Sequence, residues 1–185
     1  MRVNYIIILF IGLLTINIGL AKANEMNISD SVGVEKFVEQ FNYYAKTYEN
    51  IYKINSYKIA GAKNGETYYD CFIEDGISPK GTLLIAAVSS PNGYLNSLAI
   101  IIDRNAKSNY RAAIYLAAIT VQATTDMDGD DQLTILNSIE EFAKMKTGKE
   151  NGLDKFWRSN NGKTYYVRCH NDDTSGALVV YIRCA

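Results

Sequence analysis

Residues 108–147 read SNYRAAIYLAAITVQATTDMDGDDQLTILNSIEEFAKMKT, which is two helical patterns around the acidic run 126–131. In the first pattern, 110–123, apolar residues cover most of the helix circumference, which predicts a deeply packed helix. The second, 132–146, is amphipathic, because Leu133, Leu136 and Ile139 begin an apolar series with three- and four-residue steps. These two patterns therefore predict a layer of helices whose apolar sides must pack against another part of the protein.

Strand patterns lie on both sides of this stretch, after a first predicted helix that runs from Ser29 or Asp30 to about Glu49. Apolar alternation and turn pairs predict strands at 51–60, 66–74, 82–88, 95–103, 155–158, 163–170 and 177–184. Residues 82–88 are almost continuously apolar, which is typical of a strand in the middle of a sheet. The predicted fold class is α+β, an antiparallel sheet of about six or seven strands with three helices packed on one face.

An internal resemblance connects the two strand regions. Lys58-Ile59-Ala60, Asn64-Gly65, Tyr68-Tyr69 and Cys71 are echoed by 155–157, Asn161-Gly162, Tyr165-Tyr166 and Cys169. We interpret this as a duplicated helix-strand-strand-strand unit, with half-repeats 29–90 and 130–185. The alternative is chance similarity between two tyrosine-rich hairpins with the same favoured turn. One extra residue precedes Cys169, so it must reverse the facing of that strand or be absorbed in a β-bulge.

The N-terminal segment Met1–Ala23 is typical of a secretory signal peptide, with Arg2, an apolar run from Tyr5 to Leu20 and the small-residue site Ala21-Lys22-Ala23. An uncleaved membrane anchor is the alternative. Cleavage leaves 24–185 as a single domain, secreted or periplasmic, with no stable membrane anchor. It also removes Arg2 and Lys22, so that 17 basic residues face 20 acidic ones, a net charge of −3. This balance does not favour binding of nucleic acid.

Three cysteines in an exported chain allow one disulfide. We expect Cys71 to pair with Cys169 if the two halves are symmetric, with Cys71 to Cys184 as the rival and three buried thiols as the alternative. A bridge between Cys169 and Cys184 is disfavoured, because both belong to one predicted hairpin at distant positions.

The acidic run resembles the calcium loop of an EF-hand over residues 126–137 only. The resemblance implies that Asp126, Asp128 and Asp130 supply side-chain ligands and Gln132 a backbone carbonyl. Asp131 stands where that loop needs Gly, and Asn137 where it needs a bidentate carboxylate, so the calcium binding implied is weak. The alternative is that these acids are the solvated start of a helix, with Asp130 as its N-cap.

The tyrosine pairs are the other candidate site. Tyr68, Tyr69, Tyr165 and Tyr166 place one ring of each pair in the core and one outward. Outward tyrosines on a rigid sheet suit recognition of a protein or a saccharide, although ordinary β-propensity explains them equally well.

No catalytic residue is predicted. His170 is the only histidine, which excludes a His-rich zinc site. Cys169 next to it points to the opposite strand face, so the two cannot act as nucleophile and base. We therefore expect an exported, non-catalytic binding or interaction protein of the cell envelope or extracellular space, without a cofactor. The alternatives are a secreted hydrolase with an unidentified carboxylate pair, or a weakly calcium-stabilised structural module.

Overall fold

A computed structural model describes residues 26–48, 52–75, 83–102, 109–124, 126–145, 152–172 and 177–185. The predicted leader, Met1–Ala23, lies outside these residues. Among the helices within those ranges, none is both long and apolar enough to cross a membrane.

The described chain forms three α-helices and seven strands, which confirms the α+β prediction. The helices are α1 (Val34–Ala45), α2 (Asn109–Thr124) and α3 (Gly129–Lys144), and a short 3-10 turn, Lys46–Tyr48, follows α1. The strands are β1 (Tyr52–Lys63), β2 (Glu66–Asp75), β3 (Leu83–Ser89), β4 (Leu95–Ile102), β5 (Gly152–Arg158), β6 (Thr164–Asn171) and β7 (Leu178–Cys184).

All seven strands belong to one antiparallel sheet with the order β1-β2-β3-β4-β7-β6-β5. Strands β1 to β4 form one meander and β5 to β7 a second, and the two meet where β4 pairs with β7. The two sheet edges are therefore β1 and β5. As predicted, β3 is an inner strand, and all seven of its residues are buried.

The helices cover one face of the sheet, which we call the helix face. Its core combines helix residues with every second strand residue, including Phe37 and Phe41 of α1, Leu116 and Ile119 of α2, and Ile135 and Ile139 of α3. Helix α2 is buried nearly all round because it lies between α1 and α3 and also contacts the sheet. This agrees with its unbroken apolar sequence.

Helix α1 begins four or five residues later than predicted. Residues 29–32 instead bond to the start of β4, since Ser29 N donates to Leu95 O at 3.2 Å and Leu95 N to Val32 O at 3.0 Å. The helix then starts after Gly33, where a Cβ would lie 2.9 Å from the carbonyl oxygen of Gly93. Residues 29–32 thus pair with the start of β4, and helix α1 begins only after them.

The two Asn-Gly pairs make different turns. Asn64 and Gly65 have φ of 55° and 85° in a two-residue hairpin turn, as predicted. In the β5–β6 turn, Gly162 N donates to Ser159 O and Ser159 N to Lys163 O, the same two bonds that Gly93 and Ser90 make in the β3–β4 turn. Asn161-Gly162 is therefore the structural counterpart of Asn92-Gly93.

This difference in turns reverses the facing of the tyrosine pairs. Tyr165 belongs to the helix-face core, whereas Tyr68 lies on the opposite face. Cys71 and Cys169 both return to the helix face, because Cys169 comes one residue later in its strand and β6 pairs with both neighbours without a bulge. Common ancestry of the two halves stays a prediction.

Candidate binding surface

The face of the sheet opposite the helices, which we call the outer face, is apolar as well. Its cluster contains eight buried residues from β2, β3, β4 and β7 and the residue before β7, and none from the three helices: Tyr68, Leu84, Ala86, Val88, Ala99, Ile101, Ala177 and Val179. A sheet that is apolar on both faces needs a covering layer on both. These eight residues are at most 9% exposed, so the outer face is the candidate binding surface because of its apolar character and because no described helix contributes to its cluster.

The strand register gives this surface a shallow central channel. One row of directly opposed residues crosses all seven strands in the order Lys58, Asp70, Ala86, Ala99, Tyr181, Arg168 and Asp154. The two alanines on β3 and β4 form its floor. Tyr68 and Phe72 of β2 rise on one side, and Tyr166 and Tyr181 on the other. Along β3 and β4 the larger side chains Leu84, Val88 and Ile101 lie on the same face, so the low part of this surface is the alanine pair itself.

An acid lies on the β2 side of the channel. Asp70 is only 4% exposed, and its burial raises the pKa of its carboxyl, while the nearby Lys58 acts in the opposite direction. The Lys58 ammonium lies 5.0 Å from the centre of the Phe72 ring. This wall therefore presents a poorly solvated carboxyl next to a cation held over an aromatic ring.

Guanidinium groups lie on the other side. The Arg183 guanidinium is 5.2 Å from the centre of the Tyr166 ring, and its buried Nε has no hydrogen-bond partner among the described residues. Arg168 is neutralised by Asp154 at 3.8 Å, and Asp154 also accepts a hydrogen bond from the Tyr166 hydroxyl. Burial first, and then that bond, raises the pKa of Tyr166 to about 12. Arg183 is thus the cation of this wall that has no carboxylate partner among the described residues.

The four predicted tyrosines divide between the faces as expected. Tyr69 and Tyr165 pack with the helix-face core, and Tyr68 and Tyr166 lie on the outer face. The expectation of freely exposed rings is wrong, because Tyr68 is 9% and Tyr166 5% exposed. The outer face uses these rings as walls rather than as a flat tyrosine patch.

The acidic run starts a helix in this structure. Asp128 is the N-cap of α3. Its Oδ1 accepts hydrogen bonds from Asp130 N at 2.9 Å and Asp131 N at 3.0 Å, and its own backbone N donates to Asp131 Oδ2. Backbone donation from Asp131 lowers the pKa of Asp128. Asp130 and Gln132 lie inside the helix, so the EF-hand conformation is not adopted. Within the described ranges, no group of three or more His, Cys, Asp or Glu side chains is placed to hold a metal ion.

Asp126 faces a lysine. Lys163 Nζ lies 3.2 Å from Asp126 Oδ2, 2.7 Å from Asp30 Oδ2 and 3.0 Å from the Asn27 carbonyl oxygen, and the lysine side chain is 10% exposed. Burial alone lowers the pKa of Lys163, but its bonds to and the charges of the two carboxylates outweigh burial and raise it. An ammonium group therefore occupies the place beside Asp126 where a bound cation was expected. Weak calcium binding stays a prediction.

Asp131 connects several elements of the same region through hydrogen bonds. It is 1% exposed and accepts from Trp157 Nε1 and Ser159 Oγ, both at 2.7 Å. Its carboxylate joins α3 to β5 and to the β5–β6 turn. This acid is saturated by structural donors and offers no free oxygen for general acid or base chemistry.

The disulfide prediction is wrong. Cys71, Cys169 and Cys184 are free and buried. Cys71 and Cys169 lie in one row across the sheet, and four strand spacings place them about 19 Å apart. Cys184 lies three spacings across and four residues along β7 from Val180 of that row, so it is also roughly 19 Å from Cys71. A disulfide needs Cα atoms within about 7 Å. Neither Cys169 nor Cys184 is therefore close enough to Cys71 to form a disulfide.

His170 is buried on the outer face, and Cys169 points to the helix face. The adjacent pair therefore cannot form a catalytic dyad, as expected from strand geometry.

Comparison with protein-family models, with curated proteins and with solved structures gives no match to this chain. Its function is therefore inferred from the contacts described above.

Sequence reasoning missed the outer-face residues Asp70 and Arg183. A usable signal was present, because β3, β4 and β7 read LLIAAVS, LNSLAIII and LVVYIRC. Strands with one wet face alternate, and nearly continuous apolar strands are covered on both faces.

Proposed function

We propose that this chain is an exported, non-catalytic binding protein whose outer face holds an apolar segment of a partner protein. The observation that carries the proposal is the apolar cluster around Ala86 and Ala99, to which the three helices contribute nothing. The leader-like segment Met1–Ala23 supports an exported location.

The chemistry of the walls narrows the partner. The alanine floor between aromatic side chains suits an aliphatic or aromatic side chain better than the hydroxyl groups of a saccharide. Arg183 favours an acidic group at one side of that segment, because its guanidinium has no carboxylate partner among the described residues. We therefore favour a protein segment that combines apolar side chains with a carboxylate.

The test uses an apolar anion, 1-anilinonaphthalene-8-sulfonate, with the chain purified after export. We expect enhanced fluorescence from the folded protein, a loss in Ala99→Glu, and a several-fold weaker affinity in Arg183→Gln. Leu133→Glu is the matched control, because it removes an exposed apolar side chain from α3. Dye binding that is absent, or that Ala99→Glu and Leu133→Glu change equally, would refute the outer face as the binding surface. Circular dichroism checks that each variant is folded.

A further inference from the structure

The two edges of the sheet differ in how they are protected. A free edge strand offers unpaired backbone N–H and C=O groups to any other strand, and proteins protect such edges with bulges, charges or a covering group. In the part of the chain that the structure describes, β1 pairs only with β2, and β5 only with β6.

Edge β1 carries several of these protections. Its pairing with β2 shifts register between Ile54 and Ser56 and again between Ile59 and Gly61. The Asn42 side chain of α1 bonds to both backbone groups of Ile54. Lys53, Lys58 and Lys63 add charge along the strand. A second strand cannot pair regularly with an edge that is bulged and partly occupied.

Edge β5 carries charges of both signs, Asp154, Lys155 and Arg158, but has no bulge and no bound side chain on its backbone among its described residues. Its seven residues pair with β6 in one continuous register, without a bulge or a proline. Phe156, the fifth of these residues, points to the outer face, has its ring centre 4.7 Å from that of Tyr166 and is still 60% exposed. A straight edge with an exposed aromatic ring is the edge that remains suited to pairing.

We propose that two copies of this chain pair antiparallel through β5, in the register centred on Phe156. A two-fold axis perpendicular to the sheet then continues one sheet into the other and keeps the helices of both copies on the same face. Residues on opposite sides of Phe156 face each other across this axis.

The sequence of β5 is self-complementary in this register. Phe156 meets Phe156 of the second copy, and Lys155 meets Trp157, a cation beside an aromatic ring. Asp154 meets Arg158, and the axis repeats this pair of opposite charges once more. Asp154 and Arg158 are both exposed and flank Phe156 on the outer face.

Neighbouring registers lose these pairs. Centring on Lys155 sets Asp154 against Phe156 and Gly152 against Arg158, and centring on Trp157 sets Phe156 against Arg158. Registers centred between two residues oppose side chains that point to different faces, which a perpendicular axis does not allow. Charge and shape together therefore select the Phe156-centred pairing and a second copy as its occupant.

The experiment is a charge swap read by sedimentation equilibrium on the chain purified after export. We expect a concentration-dependent dimer. Asp154→Arg or Arg158→Asp alone places like charges opposite each other twice and should weaken the dimer by at least about tenfold. The double variant exchanges the charges and should restore the dimer to within about threefold of the original.

Lys53→Asp is the control, since it makes the same change of charge on the protected edge. Thermal melting of each variant separates loss of pairing from loss of folding. The proposal is overturned by a chain that stays monomeric at every soluble concentration, by single variants that dimerise as well as the original, or by a double variant as weak as the singles. Sedimentation and dye binding are separate readouts, and Arg158→Asp leaves the contacts of Asp154 with Arg168 and Tyr166 in place, so the two proposals can fail independently.

Discussion

Lys163 shows how single side chains decide the character of the acidic region. Asp126 and Asp128 were expected to hold calcium, but one faces an ammonium group and the other a helix N-terminus. Asp131 falls where an EF-hand needs glycine, and here it is the third helical residue and closes a reciprocal cap. The same acids thus stabilise a helix start and an ion pair.

Replacement of Lys163 by Met should destabilise the fold in a pH-dependent way. The hydrogen bond from Lys163 to Asp30 is the largest cause of the lowered pKa of Asp30, which lies below 3.8. The pKa of Lys163 itself lies above 10.5. Because folding lowers the pKa of Asp30, its carboxylate stabilises the fold above pH 3.8, and this stability is lost as pH falls through the folded pKa. Because folding raises the pKa of Lys163, its ammonium group stabilises the fold below pH 10.5, and this stability is lost as pH rises through the folded pKa.

Urea unfolding at pH 7 should show a loss of about 1–2 kcal/mol in Lys163→Met, since water screens the exposed Asp30 partner. At a pH well below 3.8 the loss should shrink. Lys144→Met, which removes an exposed lysine 3.8 Å from Glu140, should change little at either pH. An equal loss for Lys163→Met at both pH values would contradict the ion-pair account.

At the scale of elements, α1 does more than cover the core. Its Asn42 amide donates to Ile54 O at 2.9 Å and accepts from Ile54 N at 2.8 Å, next to the first bulge of β1. The side chain therefore acts as a short substitute for a neighbouring strand. It satisfies both backbone groups of Ile54 at an edge strand that has no further strand beside it among the described residues.

Asn42→Ala should lower the free energy of unfolding by about 1–3 kcal/mol, because both backbone groups of Ile54 lose their partner in a half-buried place. Denaturant unfolding measures this, and light scattering should show earlier aggregation from the uncovered edge. Asn42→Asp keeps the acceptor and loses the donor, so it should be intermediate. Glu39→Ala, on the exposed side of the same helix, is the control, and an equal effect there would refute the role of Asn42.

For the whole molecule, the three described cysteines are free, so the sheet is held by non-covalent contacts and not by a cross-link among them. Burial raises the pKa of Cys71 and of Cys169 to about 12 and that of Cys184 to about 11. At neutral pH these groups are thiols, which are poor nucleophiles.

Ellman's reagent should therefore label no cysteine in the folded chain and three after denaturation without reductant. The melting temperature should be the same with and without reductant. Thr47→Cys places a thiol on an exposed position and should react rapidly in the folded state as a control. Fewer than three thiols after denaturation would reveal a cross-link and contradict the free state.

Local sequence patterns predicted the elements well, because helix and strand periods depend on near neighbours. Residues 110–123 and 82–88 were placed within a residue or two of α2 and β3. The strands predicted at 163–170 and 177–184 begin within one residue of β6 and β7. The outer-face channel was not predicted, since its rows depend on β4 pairing with β7 across a distance that no local pattern reports.

The position of β7 determines when the fold can be completed during synthesis. The last of the seven strands to be synthesised lies inside the sheet, between β4 and β6, and joins the two meanders. The architecture therefore cannot be completed until residues 178–184 have been made. A nascent chain that stalls before residue 178 leaves the facing edges of β4 and β6 unpaired, which makes it prone to aggregation and a target for quality-control proteases.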